Sequence, residues 1–483
     1  MSTQKHFVNL FFGLGLNVIL GMLTTPIITR MVDPIDYGNL SLFMTVGNIF
    51  ILVGMMGRDQ SYTRFFYVNE NNEYKRYILG VTCSIPIVIS IVCGLIIFFY
   101  YLFVDNCTTA VLPLFSVYIV ALTVGVFSNL TVRLKLKTTL YSLLINIQKL
   151  LYVVLTIALV KGTDIDHLVI LTGSTVFAQV SVCVVAIISE RKTWSPRRIE
   201  VRLKEQYCAL VSPREVAKYG FPFIFANLCN WIFTGADKIM IKMFATDTEL
   251  GIYASAVSVI GIFSIVTTTF STIWGPLAVE EFERNNPNRD FFVKASDYVC
   301  IILFAMGGCV VVGKDIIVYL LGAKYRDAVF LIPFLSLHPI MYTLSESTAY
   351  GINFAKRTEY HIVVSAISCV VNVILNIALI PVIGPLGAAI STGLAYTMFF
   401  ILRTYFSVKC YKVNYSIKKI AVMSTMYYIL VIYNSFNRFD LISVGMFVVC
   451  FIITLMIYKK RMQELIGLFY DYLMSILKVK KDS

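Results

Sequence analysis

Residues 219–253 read YGFPFIFANLCNWIFTGADKIMIKMFATDTELGIY, in which the apolar run 219–244 carries one acid and two lysines near its end, Asp237, Lys238 and Lys242. A helix needs roughly 20 mostly apolar residues to cross the hydrocarbon core. Runs of that kind recur along all 483 residues. The chain is 58% hydrophobic and only 14% charged, with a mean hydropathy of +0.77, whereas soluble domains carry about a quarter charged residues. An all-α, polytopic membrane protein is expected. About fourteen transmembrane helices are placed at 7–31, 38–57, 77–103, 110–130, 140–160, 166–189, 219–243, 250–278, 296–321, 328–351, 360–381, 383–407, 416–434 and 439–458.

The eleven cysteines lie almost all in apolar runs and lack C-x-x-C spacing. They read as small buried hydrophobes rather than metal ligands or a disulfide framework. The first apolar run is too long for a signal peptide and lacks an A-x-A-like cleavage site, so a retained first span is expected. Lys and Arg are retained on the cytoplasmic side of a membrane. Here they crowd the even-numbered connections, for example Arg58, Arg64, Lys75 and Arg76, then Arg133, Lys135 and Lys137, and further on Arg403, Lys409 and Lys412. Odd-numbered connections hold only Lys161, Lys324, Arg326 and Arg438. Both termini are therefore expected in the cytoplasm. The net charge of +13 is mostly a topology signal and requires no nucleic acid, because it is scattered over loops.

Two segments resemble each other: IITRMVDPIDYGNLSLFMTV closes span one and opens span two, and KIMIKMFATDTELGIYASAVSV closes span seven and opens span eight. With one inserted residue, Arg30-Met31 falls on Lys242-Met243 and Tyr37-Gly38 on Leu250-Gly251. The expected organisation is two pseudo-symmetric six-helix lobes, 1–190 and 219–407, joined by a basic cytoplasmic loop, 191–218. Two C-terminal helices at 408–459 and an amphipathic cytoplasmic tail at 460–483 follow. Leu465, Ile466, Phe469, Leu473, Ile476 and Leu477 share one helical face of that tail. A parallel repeat of this kind occurs in transporters with a central cavity.

Ionisable groups cost about 2.5–3.5 kcal/mol each at the centre of a spanning helix on insertion scales, so they face a cavity, find a partner or snorkel. Lys149 lies near the middle of span five and reads either as a cavity cation or as a lysine held by Asn146, Gln148 or an acid. Arg30 and Lys242 are interfacial anchors or cavity cations. Lys238 and Lys242, four residues apart, share a helix face, and Asp237 points about 100° away from Lys238. Two stacked cations can host a diffuse anion such as a pyrophosphate; the alternative is a structural ion pair of Asp237 with a neighbouring cation. Glu346 is the deepest acid without an evident partner, a site for a coupling proton or a group hydrogen-bonded to Ser345 or Ser347. His338 reads as a packed histidine. A lone His without a neighbouring acid or Cys makes no metal site, and no metal or cofactor is expected.

Every outward connection is short, which leaves no external loop for an active site of the kind a membrane glycosyltransferase, ligase or polymerase needs. No P-loop motif occurs. Movement of something across the membrane, not enzymatic chemistry, is the expected role.

LLGAKYRDAVFLIPFLSL at 320–337 and VVNVILNIALIPVIGPLGAAISTGLAY at 370–396 resemble segments of polysaccharide flippases, and GADKIMIKMFATDTELGIYASA resembles their seventh span. The family resembled is the Wzx-type O-antigen and capsular polysaccharide flippases of the multidrug/oligosaccharidyl-lipid/polysaccharide exporter superfamily. The resemblance implies a bacterial inner-membrane protein that turns an undecaprenyl-pyrophosphate-linked oligosaccharide, a repeat unit of O-antigen lipopolysaccharide or capsule, from one leaflet to the other by alternating access. It also implies a cation-lined cavity, a coupling ion such as a proton or sodium, and other polysaccharide-assembly proteins as partners. Arg30 and Lys242 are the positions carried over as cavity cations, followed by Lys149, Lys238 and Asp237. A cation-coupled multidrug or toxin exporter of the same fold, a polysaccharide-assembly membrane enzyme and a non-transporting scaffold are the alternatives.

Overall fold

In the computed structural model, residues 2–103, 110–195, 201–284, 288–464 and 467 are described. They are helical throughout, with no strand among the described residues. The chain divides into two compact units, Met1–Ser258 with Leu321–Tyr325, and Val259–Leu320 with Arg326–Ser483.

The first unit holds α1 (Ser2–Thr29), α2 (Pro34–Met55), α3 (Arg58–Phe65), α4 (Asn72–Phe103), α5 (Val111–Leu134), α6 (Thr138–Gly162), α7 (His167–Ser189), α8 (Val201–Leu210), α9 (Pro213–Phe244) and most of α10 (Asp247–Ile260). The second holds α11 (Phe263–Glu283), α12 (Arg289–Val312), α13 (Lys314–Tyr319), most of a 3-10 helix (Ala323–Phe330), α14 (Ile332–Thr348), α15 (Tyr350–Phe354), α16 (Glu359–Ile383), α17 (Pro385–Cys410), α18 (Ile417–Phe436) and α19 (Leu441–Ile457).

Each of the fourteen expected spans falls on helix. Among the described residues, eight helices are long and apolar enough to cross a membrane, or ten if each of two bent pairs counts as one span. The difference has a physical origin. Spans eight and ten are each made of two helices: the first breaks at Gly261-Ile262, where glycine weakens the helix, and the second at Leu331, between the 3-10 helix and α14. The apolar parts of α1 and α19 are short, at Gly15–Thr29 and Leu441–Ile457. Polar residues dilute the other two, Asp237, Lys238 and Lys242 in α9 and Lys418 and Lys419 in α18.

Helix α9 begins with strong local signals. Ser212 accepts from the Glu215 amide while Glu215 reaches back to the Ser212 amide, and Pro213 fills the first turn. This capping box and N-terminal proline satisfy donors that a helix start leaves open. Thirty-two residues then carry α9 about 48 Å at 1.5 Å per residue, which puts Asp237, Lys238 and Lys242 in about its last two turns.

In the first unit, α9 packs on α2 and α3, while α1 packs on α6, α4 on α5, and α7 on both α5 and α6. Backbones approach closely at two places. A Cβ on Gly38 would lie 2.6 Å from the Gly251 nitrogen, and one on Gly251 would lie 1.9 Å from the Pro34 oxygen. The repeat-matched glycines thus meet each other where α2 and α10 start. At the far end of α2, Gly57 adopts a φ of +68°, and a Cβ there would lie 2.0 Å from the Gly220 oxygen of α9. Small residues at such crossings let membrane helices gain dispersion contact that bulkier ones would block.

Residues 321–325 complete the first unit. Tyr325 donates to the Val32 carbonyl at 3.1 Å, the Gly322 amide donates to Thr29 Oγ1 at 3.3 Å, and Lys324 pairs with Asp33. In the second unit α14 and α16 flank α17, and α12 packs on α14, α18 and α19. Fully buried Lys314 donates to Asp315 at 3.0 Å and to the Asn437 carbonyl at 2.9 Å, which ties α13 to the α18–α19 turn.

Candidate functional site

The last turns of α9 separate three charges that the sequence places together. Asp237 is buried and accepts a hydrogen bond from the Tyr253 hydroxyl of α10 at 2.7 Å. Lys242 is exposed; it pairs with Asp247 at the start of α10 and donates to Asn39 of α2 at 3.2 Å. An exposed pair of this kind contributes about 0–1 kcal/mol, enough to tie a turn but not to define a fold. Lys238 is half-buried and donates no hydrogen bond among the described residues. Of the two lysines on this face, only Lys242 has a hydrogen-bond partner among the described residues.

Lys149 on α6 is partly buried and donates to the Asn17 carbonyl of α1 at 2.7 Å. A Cβ on Gly21, one turn further along α1, would lie 2.7 Å from its Nζ, so the missing side chain makes room for the ammonium. The expected partners, Asn146, Gln148 or an acid, are not the ones used. Asn146 instead donates to the Gly13 and Ser142 carbonyls at 3.0 and 2.7 Å, and Gln148 to Gln179 at 2.6 Å. An ammonium has three donors, and the carbonyl takes one of them. Arg30 is exposed just beyond α1 and makes no hydrogen bond or ion pair among the described residues. Arg30 and Lys242 do not bond each other, and Lys149 joins neither.

In the second unit, Glu346 of α14 is ion-paired with Arg403 of α17, with only 15% and 12% of the two side chains exposed. Arg403 also donates to Ser345 at 3.0 Å and lies over the Phe399 ring at 5.4 Å. This corrects two expectations. Glu346 does have a partner, and Arg403 belongs inside a helix, because α17 runs on to Cys410. The glutamate position alone carries no trace of that pair; a basic residue about two turns before the end of α17 is the signal. His338 stacks on Tyr396 with ring centroids 3.9 Å apart, the packed histidine expected. No group of three metal-ligating side chains occurs among the described residues. The expected amphipathic tail, with Leu465, Ile466, Phe469, Leu473, Ile476 and Leu477, lies outside the described residues.

The groups that sequence reading missed are Tyr253, Asn39, Asn17 and Arg403. The first three are uncharged partners, identifiable only once the packing is known.

Comparison with known proteins gives the family and the fold. Residues 3–280 match the model of a family described as polysaccharide biosynthesis protein. A protein of Haloferax volcanii named probable flippase AglR is 26% identical over 200 residues, which are 40% of this chain and 41% of that protein. A probable low-salt glycan biosynthesis flippase of the same organism is 20% identical over 217 residues, 44% of this chain and 45% of that one. The chain thus spans less than half the length of these curated relatives. Among solved structures, the lipid II flippase MurJ in an inward closed conformation shares the fold with a TM-score of 0.69, at 16% identity over 94% of this chain and 99% of that one. An inward-facing multidrug resistance MATE family transporter of the MOP superfamily follows at 0.54, with 14% identity over 84% of this chain and 96% of that one.

Proposed function

The chain belongs to the polysaccharide biosynthesis protein family and is a multi-pass membrane protein, and from that premise we propose that it is a flippase for undecaprenyl-pyrophosphate-linked oligosaccharides. The observation that carries this reading is the set of first-unit cations with no ion pair within 4 Å among the described residues, Arg30, Lys149 and above all Lys238. Moving a bare phosphate anion through hydrocarbon would cost tens of kcal/mol by simple solvation arguments. A cation about 4 Å from a phosphate returns about 4 kcal/mol at an effective dielectric of 20, so several cations with hydroxyl and amide groups are needed along the route. Lys238 and Arg30 serve as the first anion contacts. Lys149 adds two spare donors, and Lys242 joins on release from Asp247. The prenyl tail stays in lipid throughout.

The lobes 1–190 and 219–407 alternate in access to the two sides. The meeting of Gly38 with Gly251 supports this pseudo-symmetry, because a two-fold axis brings matched positions of two repeats together. The protein resides in a bacterial inner membrane with both termini in the cytoplasm, and works beside other polysaccharide-assembly proteins. A coupling ion, proton or sodium, acts through Glu346 or Asp237; at Glu346 it competes with Arg403. A multidrug exporter shares the fold, but it needs open acids for a cationic drug. Here Glu346 is engaged by Arg403 and Asp237 by Tyr253.

Complementation tests the reading. A strain lacking its own flippase, supplied with this protein and a matching repeat unit, is expected to regain surface polysaccharide. Failure across a panel of repeat units with the protein present in the membrane would contradict it.

A further inference from the structure

A cleft of about 540 Å³ opens where the start of α4, the α5–α6 turn and the end of α7 converge in the first unit. Lys75, Lys135, Lys137, Arg191 and Lys192 line it, with Glu190 as the acid among them. The arrangement is built rather than scattered. Leu136 adopts a φ of +57°, a conformation disfavoured for a side-chain-bearing residue, and it sits between the two lysines that converge on the same carboxylate. Lys135 reaches Glu190 at 2.6 Å and Lys137 also pairs with it, while Glu190 is only 3% exposed.

Five cations face one acid. The C-terminal ends of α5 and α7 add roughly half a negative charge each, which leaves the cleft at about +3. Charge balance for the fold therefore does not account for it. Arg191 and Lys192 are exposed and carry no ion pair among the described residues. Lys75 lies 5.0 Å from the centre of the Phe66 ring, with no acid partner among the described residues.

We propose that this cleft binds the phosphate of an anionic phospholipid headgroup, separately from any transported substrate. A second feature favours a lipid as the source of the phosphate. An apolar groove of about 540 Å³ runs between α4, α5 and α7, and α7 leads from it to the cleft: Val184 and Ile187 line the groove, and residues 189–192 line the cleft. An acyl chain in the groove and a phosphate against Arg191 and Lys192 use both.

Native mass spectrometry of the full chain, titrated with phosphatidylglycerol or phosphatidylcholine, tests this. The wild type is expected to retain phosphatidylglycerol in preference. Each cation near an anionic lipid surface contributes about fivefold, so Arg191→Gln/Lys192→Gln is expected to weaken retention about 25-fold and Lys75→Gln about fivefold. Lys459→Gln/Lys460→Gln, which removes the same charge elsewhere, should leave retention unchanged. Equal loss in both double variants, or no preference for phosphatidylglycerol in the wild type, would overturn the site. Calorimetry with inorganic phosphate in lipid-free detergent separates the sources. Binding of inorganic phosphate as tight as that of the lipid, and lost in Arg191→Gln/Lys192→Gln, would overturn the lipid assignment in favour of a soluble anion.

Discussion

The two units handle membrane charge in opposite ways. In the second, Glu346 and Arg403 neutralise each other across α14 and α17. In the first, Lys149 rests on a backbone carbonyl, Lys238 donates to no described group, and the acid beside it, Asp237, is held by a tyrosine hydroxyl. A closed pair stabilises a lobe but offers nothing to a ligand. Cations held by neutral groups keep their charge available to an anion. On the proposed reading, the open cations of the first unit attract an anion, and the closed pair of the second holds its helices together.

Breaking the closed pair should give the largest effect. Arg403→Ala leaves a nearly buried carboxylate without its partner, and removal of one member of such a pair costs about 3–5 kcal/mol. Thermal unfolding in detergent should show a clear drop, and Glu346→Ala added to it should restore most of the loss. Unchanged unfolding of Arg403→Ala would mean that the second unit does not rely on the pair.

The glycine crossing comes next. Gly251→Val forces bulk against the Pro34 carbonyl, and overpacking of this kind costs about 1–3 kcal/mol. In a background without reactive cysteines, Gly38→Cys/Gly251→Cys should cross-link under oxidant. On the alternating-access reading the cross-link stops transport and reductant restores it. Full activity in the locked state would remove the crossing from the transport cycle.

Within the first unit the two α9 lysines should part. Lys242→Gln loses only an exposed ion pair, about 0–1 kcal/mol, and should leave transport within a few-fold of normal on that scale. Lys238→Gln should leave the melting temperature nearly unchanged and lower transport about tenfold or more, the worth of about 1.4 kcal/mol.

The smallest effect lies outside the helices. Asp440 accepts from the Ser443 amide at 2.8 Å and from the Tyr433 hydroxyl, and these hydrogen bonds, Tyr433 first, hold its pKa below the ordinary aspartate value. A lowered folded-state pKa contributes stability above the unfolded value, near pH 4, which is lost as pH falls through the folded value. Asp440→Asn should flatten that acid limb of the melting curve and change little at neutral pH.

Most of the fold was legible in the sequence because apolar length is a strong signal in a membrane protein. Gly38 and Gly251, matched on sequence alone, meet in space. The site was less legible. Charges on α9 are visible as letters, but which of them is engaged depends on Asn39, Tyr253 and Asp247, residues of ordinary types on other elements. Glu346 was misread as lacking a partner because Arg403, fifty-seven residues away, looks like a topology signal at the end of a span. Single spans were less legible where polar residues or a glycine break dilute an apolar run, as in α9 and α10.

The central claim is that the first unit's open cations carry an anionic lipid-linked glycan across the membrane. The direct measurement is reconstitution of wild type and Lys238→Gln in proteoliposomes with a labelled undecaprenyl-pyrophosphate oligosaccharide, scoring access of an impermeant glycosidase over time. The account predicts rapid exposure of the glycan with wild type, and a rate about tenfold lower, with the protein still folded, for Lys238→Gln, matching a loss of about 1.4 kcal/mol. Equal rates for the two proteins, or no exposure above protein-free vesicles, would contradict it.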